Sequence, residues 1–169
     1  MSTLSSKLKV TLDEAASDQV GLTPVSGKVS RAPAWTWPSG SGAGQADRIY
    51  TAAITIPPGE ETLLNLGDGS LTDMFGAAIV FTTVRALYLT NGATNDGPIL
   101  MGGGATNGWP GPLLSSNDGL TVRPGGAAVC IAPDLQGFVV SAGLTDVLRL
   151  VNNGTVPGTA ELILIGTSG

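Results

Sequence analysis

The sequence predicts an all-β fold, a jelly-roll-like β-sandwich with two related halves, preceded by an extended N-terminal arm. Three observations predict it. Short runs rich in β-branched, aromatic and aliphatic residues are punctuated at brief intervals by Gly, Pro and Asn. No segment carries a convincing amphipathic helical stripe. Three stretches also resemble later ones at a near-constant spacing. Thr55-Ile56-Pro57-Pro58-Gly59 matches Thr121-Val122-Arg123-Pro124-Gly125 at an offset of 66. The segment from Val84 to Gly92 resembles Asp146 to Gly154 at 62, and Ile99-Leu100-Met101-Gly102 resembles Ile163-Leu164-Ile165-Gly166 at 64.

Residues 1–48 read as an arm and 49–169 as the sandwich body. In the arm, the alternation Lys7-Leu8-Lys9-Val10-Thr11-Leu12 predicts one strand, followed by a mixture of Ser, Gly, Pro and small residues. Trp35 and Trp37 sit in a Pro- and Gly-rich segment with too few apolar neighbours to bury them locally. They are therefore expected to anchor the arm, either on the body or on an adjacent subunit.

The body opens with a strand from Ile49 to Ile56, a turn at Pro57-Pro58-Gly59, and a second strand from Glu61 to Leu66. Ile79 to Thr90 also fits a helical stripe, but its β-branched and aromatic content and its match to Val147–Val151 favour strand. Asn91-Gly92 and Asn153-Gly154 read as turns, because Asn and Gly tolerate positive φ. Leu120–Arg123, Ala127–Ala132, Gly137–Ser141, Val147–Val151 and Thr159–Gly166 complete the strands. Period-two spacing puts Ile54, Leu64, Val80, Leu87, Leu89, Val129, Ile131, Val139, Leu148, Leu150, Leu162 and Leu164 in the core.

Composition narrows the function. Only 12% of the 169 residues are charged, about half the usual fraction for a soluble domain, and such a surface suits coverage by partners. Net charge is −5, with Lys only at 7, 9 and 28, so no basic footprint for nucleic acid exists. The opening MSTLSSKLKV lacks the apolar core of a secretory signal, and no run reaches the roughly 18–20 apolar residues of a membrane span. The expectation is a product made in the cytoplasm with no membrane partner. Cys130, the one cysteine, lies in an apolar run and reads as a small buried hydrophobe.

Histidine is absent, which removes Ser-His-Asp and Cys-His nucleophile activation. Glu60 and Glu61 are adjacent on a turn, and Asp68, Asp73, Asp96, Asp118, Asp134 and Asp146 have the Gly, Pro or Thr neighbours of turn residues. Gly102-Gly103-Gly104 lacks the Gly-Lys-Ser/Thr of a phosphate loop. The Asn91–Gly97 loop with Asp96, and Asn117-Asp118-Gly119, could offer oxygens to Ca²⁺ but lack the ligand spacing. The chain therefore reads as a non-enzyme with no catalytic residues, cofactor or metal. Trp109, flanked by Pro110 and Pro112, fits either a sugar-stacking platform or a plug at a core edge or subunit contact.

The string from Trp37 to Gly169 resembles small virion structural proteins of tailed bacteriophages, of the β-sandwich capsid decoration (cement) type. The resemblance rests on Gly40-Ser41-Gly42-Ala43-Gly44-Gln45-Ala46-Asp47-Arg48, Val122-Arg123-Pro124-Gly125-Gly126, Thr145-Asp146-Val147-Leu148-Arg149-Leu150 and Leu162-Ile163-Leu164-Ile165-Gly166-Thr167. It implies a homotrimer on the capsid surface, bound to the major capsid protein and tied to neighbours by its arm, with Trp35, Trp37 and Trp109 as contact residues. A tail, collar or fibre-associated module, or a carbohydrate-binding domain using Trp109, is the alternative.

Overall fold

The computed structural model of the chain describes residues 4–20 and 23–168; residues 1–3, 21–22 and 169 lie outside the described residues. Every regular element among the described residues is a strand. The arm holds β1 (Ser5–Lys9), β2 (Leu12–Val20), β3 (Thr23–Arg31) and β4 (Ala34–Pro38). The body holds β5 (Arg48–Ile56), β6 (Glu61–Asn65), β7 (Leu71–Thr72), β8 (Ala78–Ile79), β9 (Thr83–Asn91), β10 (Ile99–Gly102), β11 (Gly119–Val122) and β12 (Ala127–Ile131). It ends with β13 (Phe138–Val139), β14 (Val147–Asn152) and β15 (Gly158–Thr167).

Two antiparallel sheets make the body. One runs β5-β15-β9-β12, with β13 also on β9, and the other runs β6-β14-β10-β11. Without the short β7–β8 hairpin and β13, the eight strands pair first with eighth, second with seventh, third with sixth and fourth with fifth. This is the order of one long antiparallel ribbon rolled into two sheets, the winding a jelly roll requires. Between the sheets, Leu87, Leu89, Leu162 and Leu164 of the first meet Ile99, Met101, Leu148 and Leu150 of the second in a single fully buried cluster.

Seven of the expected core residues belong to that cluster: Leu64, Leu87, Leu89, Leu148, Leu150, Leu162 and Leu164, with Ile54 packed at its margin. Val80, Val129 and Val139 do not; they are 39%, 39% and 55% exposed. Each is one position out of phase. Ile79 and Phe81 are the buried residues beside Val80, and Val140 is the one beside Val139. In β12 the small side chains of Ala128 and Cys130 face the core instead. Ile131 packs on a second cluster, against the outer face of the first sheet.

The related halves are visible in the winding and in the hydrogen bonds. The matched segments fall on β5 and β11, β9 and β14, and β10 and β15, each pair four places apart among those eight strands and in opposite sheets. Asn91 ends β9 and Asn152 ends β14, and both are buried. Asn91 N donates to Gly126 O and Asn152 N donates to Glu60 O, while their carbonyls accept from Gly125 N and Gly59 N. The two glycines sit at φ +72° and +70°, in the left-handed region that favours residues without Cβ. The Asn91 side-chain amide donates to Val122 O at 2.8 Å, and that of Asn152 to Ile56 O at 3.0 Å. Each amide thus crosses from one sheet to the end of a strand in the other.

These equivalences correct the register of the sequence matches. The counterpart of Asn91 is Asn152, not Asn153. Ile99 pairs with Asn152 and Ala160 pairs with Asn91, so Ile99 corresponds to Ala160, not Ile163. A slip of three residues exchanges the faces of a strand, and Ile163 indeed lies on the outer side. Asn91, Gly92, Asn153 and Gly154 do not adopt positive φ; among the described residues the only non-glycine that does is Asn107.

The arm is far more regular than its composition suggests. β1 pairs with β4 and β2 with β3, so the four arm strands stack as two successive antiparallel ladders of one ribbon. The ladder breaks where Pro33, which has no N–H to donate, stands opposite Val10; there Val10 N donates to Pro33 O.

Candidate interaction surface

The base of the arm is seated on the outer face of the first sheet. The β1–β4 ladder pairs Ser6 with Trp37 and Leu8 with Trp35, and directly opposed residues share a face. That face covers Ala86 of β9, Ile163 and Ile165 of β15 and Ile49 of β5, with Trp37 only 1% exposed. The unbroken apolar run Leu162–Ile165 is thereby explained. Leu162 and Leu164 fill the main core while Ile163 and Ile165 lie under the arm, the pattern of a strand covered on both sides.

The Gly40–Arg48 segment joins arm to body. Ala46 N donates to Pro38 O, Gly40 N to Ala46 O, and Asp47 N to Gly166 O. The Asp47 carboxylate accepts from Ser168 N and Oγ. Buried Arg85 donates to the carbonyl of Asp134 and, at 3.5 Å, to that of Gly42.

Beside the seat runs a groove of about 990 Å³ between β1 and the turn joining β7 to β8. Tyr88, Ile163 and Ile49 line its floor, and Lys7 and Lys9 its arm side. The Asp73 carboxylate accepts from Phe75 N and Ala77 N and so sets the opposite turn. Phe75 and Met74 stand out from that turn, 84% and 68% exposed.

The three tryptophans take different places. Trp37 is buried against the body of its own chain, the first of the two placements the sequence allowed. Trp109 is also buried; its Nε1 donates to Val139 O at 2.9 Å and its ring meets Phe138 edge-on, centroids 6.3 Å apart. It is the plug at a core edge and has no open ring face for a sugar. Trp35, half-buried at the margin of the arm seat, alone retains exposed surface.

Most of the carboxylates named from sequence are engaged within the chain. Asp68 accepts from Ser70 N, Asp134 from Gly137 N and Asp146 from Gly143 N, as turn carboxylates do. Asp96 accepts from Thr155 N and Oγ1, tying the β9–β10 loop to the β14–β15 loop. The Thr155 hydroxyl, followed by its backbone N–H, holds the Asp96 carboxyl below its ordinary range. Asn95 donates to Thr159 O and accepts from Thr159 N. Glu61 pairs with Arg149 across β6 and β14. Burial pushes the thiol of Cys130 up. Among the described residues no three His, Cys, Asp or Glu side chains cluster closely enough to hold a metal.

No family model matches the chain, and no curated protein does. Among solved structures it is similar to the Yersinia pseudotuberculosis-derived mitogen, at 14% identity over 72% of this chain and 88% of that one, TM-score 0.39. It is similar also to a de novo designed double-stranded β-helix, at 14% identity over 68% of this chain and 96% of that one, TM-score 0.34. Likenesses this distant carry no functional argument.

Proposed function

We propose that the protein is a non-enzymatic virion structural protein, a capsid decoration protein that binds a lattice of major capsid protein. One observation carries the reading: the arm is fixed at its base by Trp37, while every described side chain of residues 12–17 and 26–31 stands in solvent. A stable sandwich with an anchored but uncovered extension suits a subunit that ties neighbours together. The low charge supports permanent assembly, and the resemblance to decoration proteins supplies the lattice and the trimer as the expected form.

The test is co-sedimentation of the full chain with undecorated capsids, followed by localisation of its density. Saturable binding with density on the shell lattice is expected. Absence of binding, or density at the tail, would refute the decoration role.

A further inference from the structure

The groove beside the arm seat has a strand edge for one wall. All five residues of β1 line it, and β1 is hydrogen-bonded to β4 alone. A strand paired on one side points every second N–H and C=O at its free side. Among the described residues no backbone bond outside that ladder reaches Ser5–Lys9. The floor is the outer face of the first sheet, where Ile49, Tyr88 and Ile163 lie. Unpaired main chain beside an apolar floor is what an added strand uses, its backbone for affinity and its alternate side chains for specificity.

Two further observations specify that strand. Ser6 lines the groove and is 5% exposed, yet its hydroxyl has no hydrogen-bond partner among the described residues, a deficit that incoming main chain would remove. The charges around the groove are Lys7, Lys9 and Arg48 against Asp47 and Asp73. Asp47 is taken by Arg48 and Ser168, and Asp73 by the amides of its own turn. Lys7 and Lys9 have no carboxylate within ion-pair distance among the described residues. Opposed residues share a face, so positions of an added strand level with Ser6 and Leu8 turn toward the floor, and those level with Lys7 and Lys9 turn outward beside the two ammonium groups. Met74 and Phe75 add exposed apolar surface on the far wall.

We propose that β1 accepts an extended segment of a partner protein as a third strand of the arm sheet, apolar at the positions level with Ser6 and Leu8 and acidic at those level with Lys7 and Lys9. The ladder of β4, β1 and the partner strand then covers the floor that the arm leaves open. The inference deepens the decoration reading and rests on it only for the identity of the partner.

The probe is a fluorescein-labelled peptide of alternating valine and aspartate, titrated onto the full chain by anisotropy, with hydrogen exchange to locate it and thermal unfolding to confirm intact variants. Saturable binding that slows exchange of the β1 amides is expected. A peptide of alternating valine and lysine should bind at least about tenfold more weakly, and so should the acidic peptide N-methylated at every residue, which lacks the donors a ladder requires. Lys7→Glu combined with Lys9→Glu should reverse the preference in favour of the lysine peptide. No binding of the acidic peptide, equal binding of its N-methylated form, a preference unmoved by the charge reversal, or protection located away from β1 overturns the added strand. Capsid co-sedimentation separates the two readings: a chain that takes the acidic peptide on β1 and binds no capsid removes the decoration role and leaves the strand site, whereas a capsid-binding chain that takes no peptide does the reverse.

Discussion

Asn152→Ala should destabilise the protein by about 2–4 kcal/mol, and the same change one residue later, at Asn153, by less than about 0.5 kcal/mol. The Asn152 side chain is fully buried. Its amide donates to Ile56 O at 3.0 Å and to Val156 O at 2.8 Å, and its carbonyl accepts from Gly154 N at 2.8 Å. Three bonds at about 1 kcal/mol each, with backbone partners left to find other groups, give the estimate. The Asn153 side chain is exposed. Asn152→Asp should do no better than alanine, because an anionic oxygen would then face the carbonyls of Ile56 and Val156. Asn91→Ala, at the equivalent site of the other half, should cost a similar amount, since its amide donates to Val122 O and Gly97 O.

Urea unfolding of the full chain at one protein concentration measures these differences, with concentration held constant because any self-association would add to stability. A loss of about 3 kcal/mol corresponds to roughly 6–12 °C in Tm for a chain of this size. Asn152→Ala within about 0.5 kcal/mol of wild type, or Asn153→Ala proving the costlier, would refute the reading of these amides as clamps between the sheets.

The remaining predictions concern core phase, arm anchoring and one turn. Leu148→Ala should cost about 2–5 kcal/mol, while Val139→Ala, at a half-exposed position, should change stability by less than about 0.5 kcal/mol; equal effects would contradict the register given for β13. Trp37→Ala removes the buried anchor of the arm seat, so limited proteolysis should cut within residues 1–48 faster than in wild type and leave a fragment starting near residue 49. Thr155→Val should raise the Asp96 carboxyl toward the ordinary range, read by NMR titration. Because Thr155 lowers the folded value, the stability it contributes is present above the unfolded value and is lost as pH falls through the folded one; an unchanged titration would show that the hydroxyl is not the cause.

The strands of the body were legible because they alternate or carry concentrated β-branched residues between turn signals, and their phases were legible only where one face is polar. Val147–Asn152 shows the favourable case: Leu148 and Leu150 are buried, while Arg149 between them reaches Glu61 on the outside. β12 shows the unfavourable one. Val129 and Ile131 are larger than Ala128 and Cys130, so volume suggests the wrong inward face. The smaller residues are the ones that pack on the core at that edge, and nothing local encodes that. The arm was almost illegible beyond its first strand. The β2–β3 ladder is held by backbone pairing over residues whose described side chains stay in solvent, so no apolar period marks it.

The tryptophans and asparagines show why residue type alone could not assign the contact surface. Trp109 beside Pro110 is equally suited to plugging a core or meeting a partner; Phe138 and Val139, some thirty positions later, decide it. Asn91 and Asn152 did carry a signal, an Asn ending a strand at comparable places in both halves, but local turn chemistry explained it too readily. Their amides instead join one sheet to the other. These clamps sit on the turn ends of β5 and β11, while the arm attaches to the outer face of the sheet containing β15. Stability of the sandwich and seating of the arm therefore draw on different residues. That separation is why an alanine at Asn152 should unfold the body without first releasing the arm.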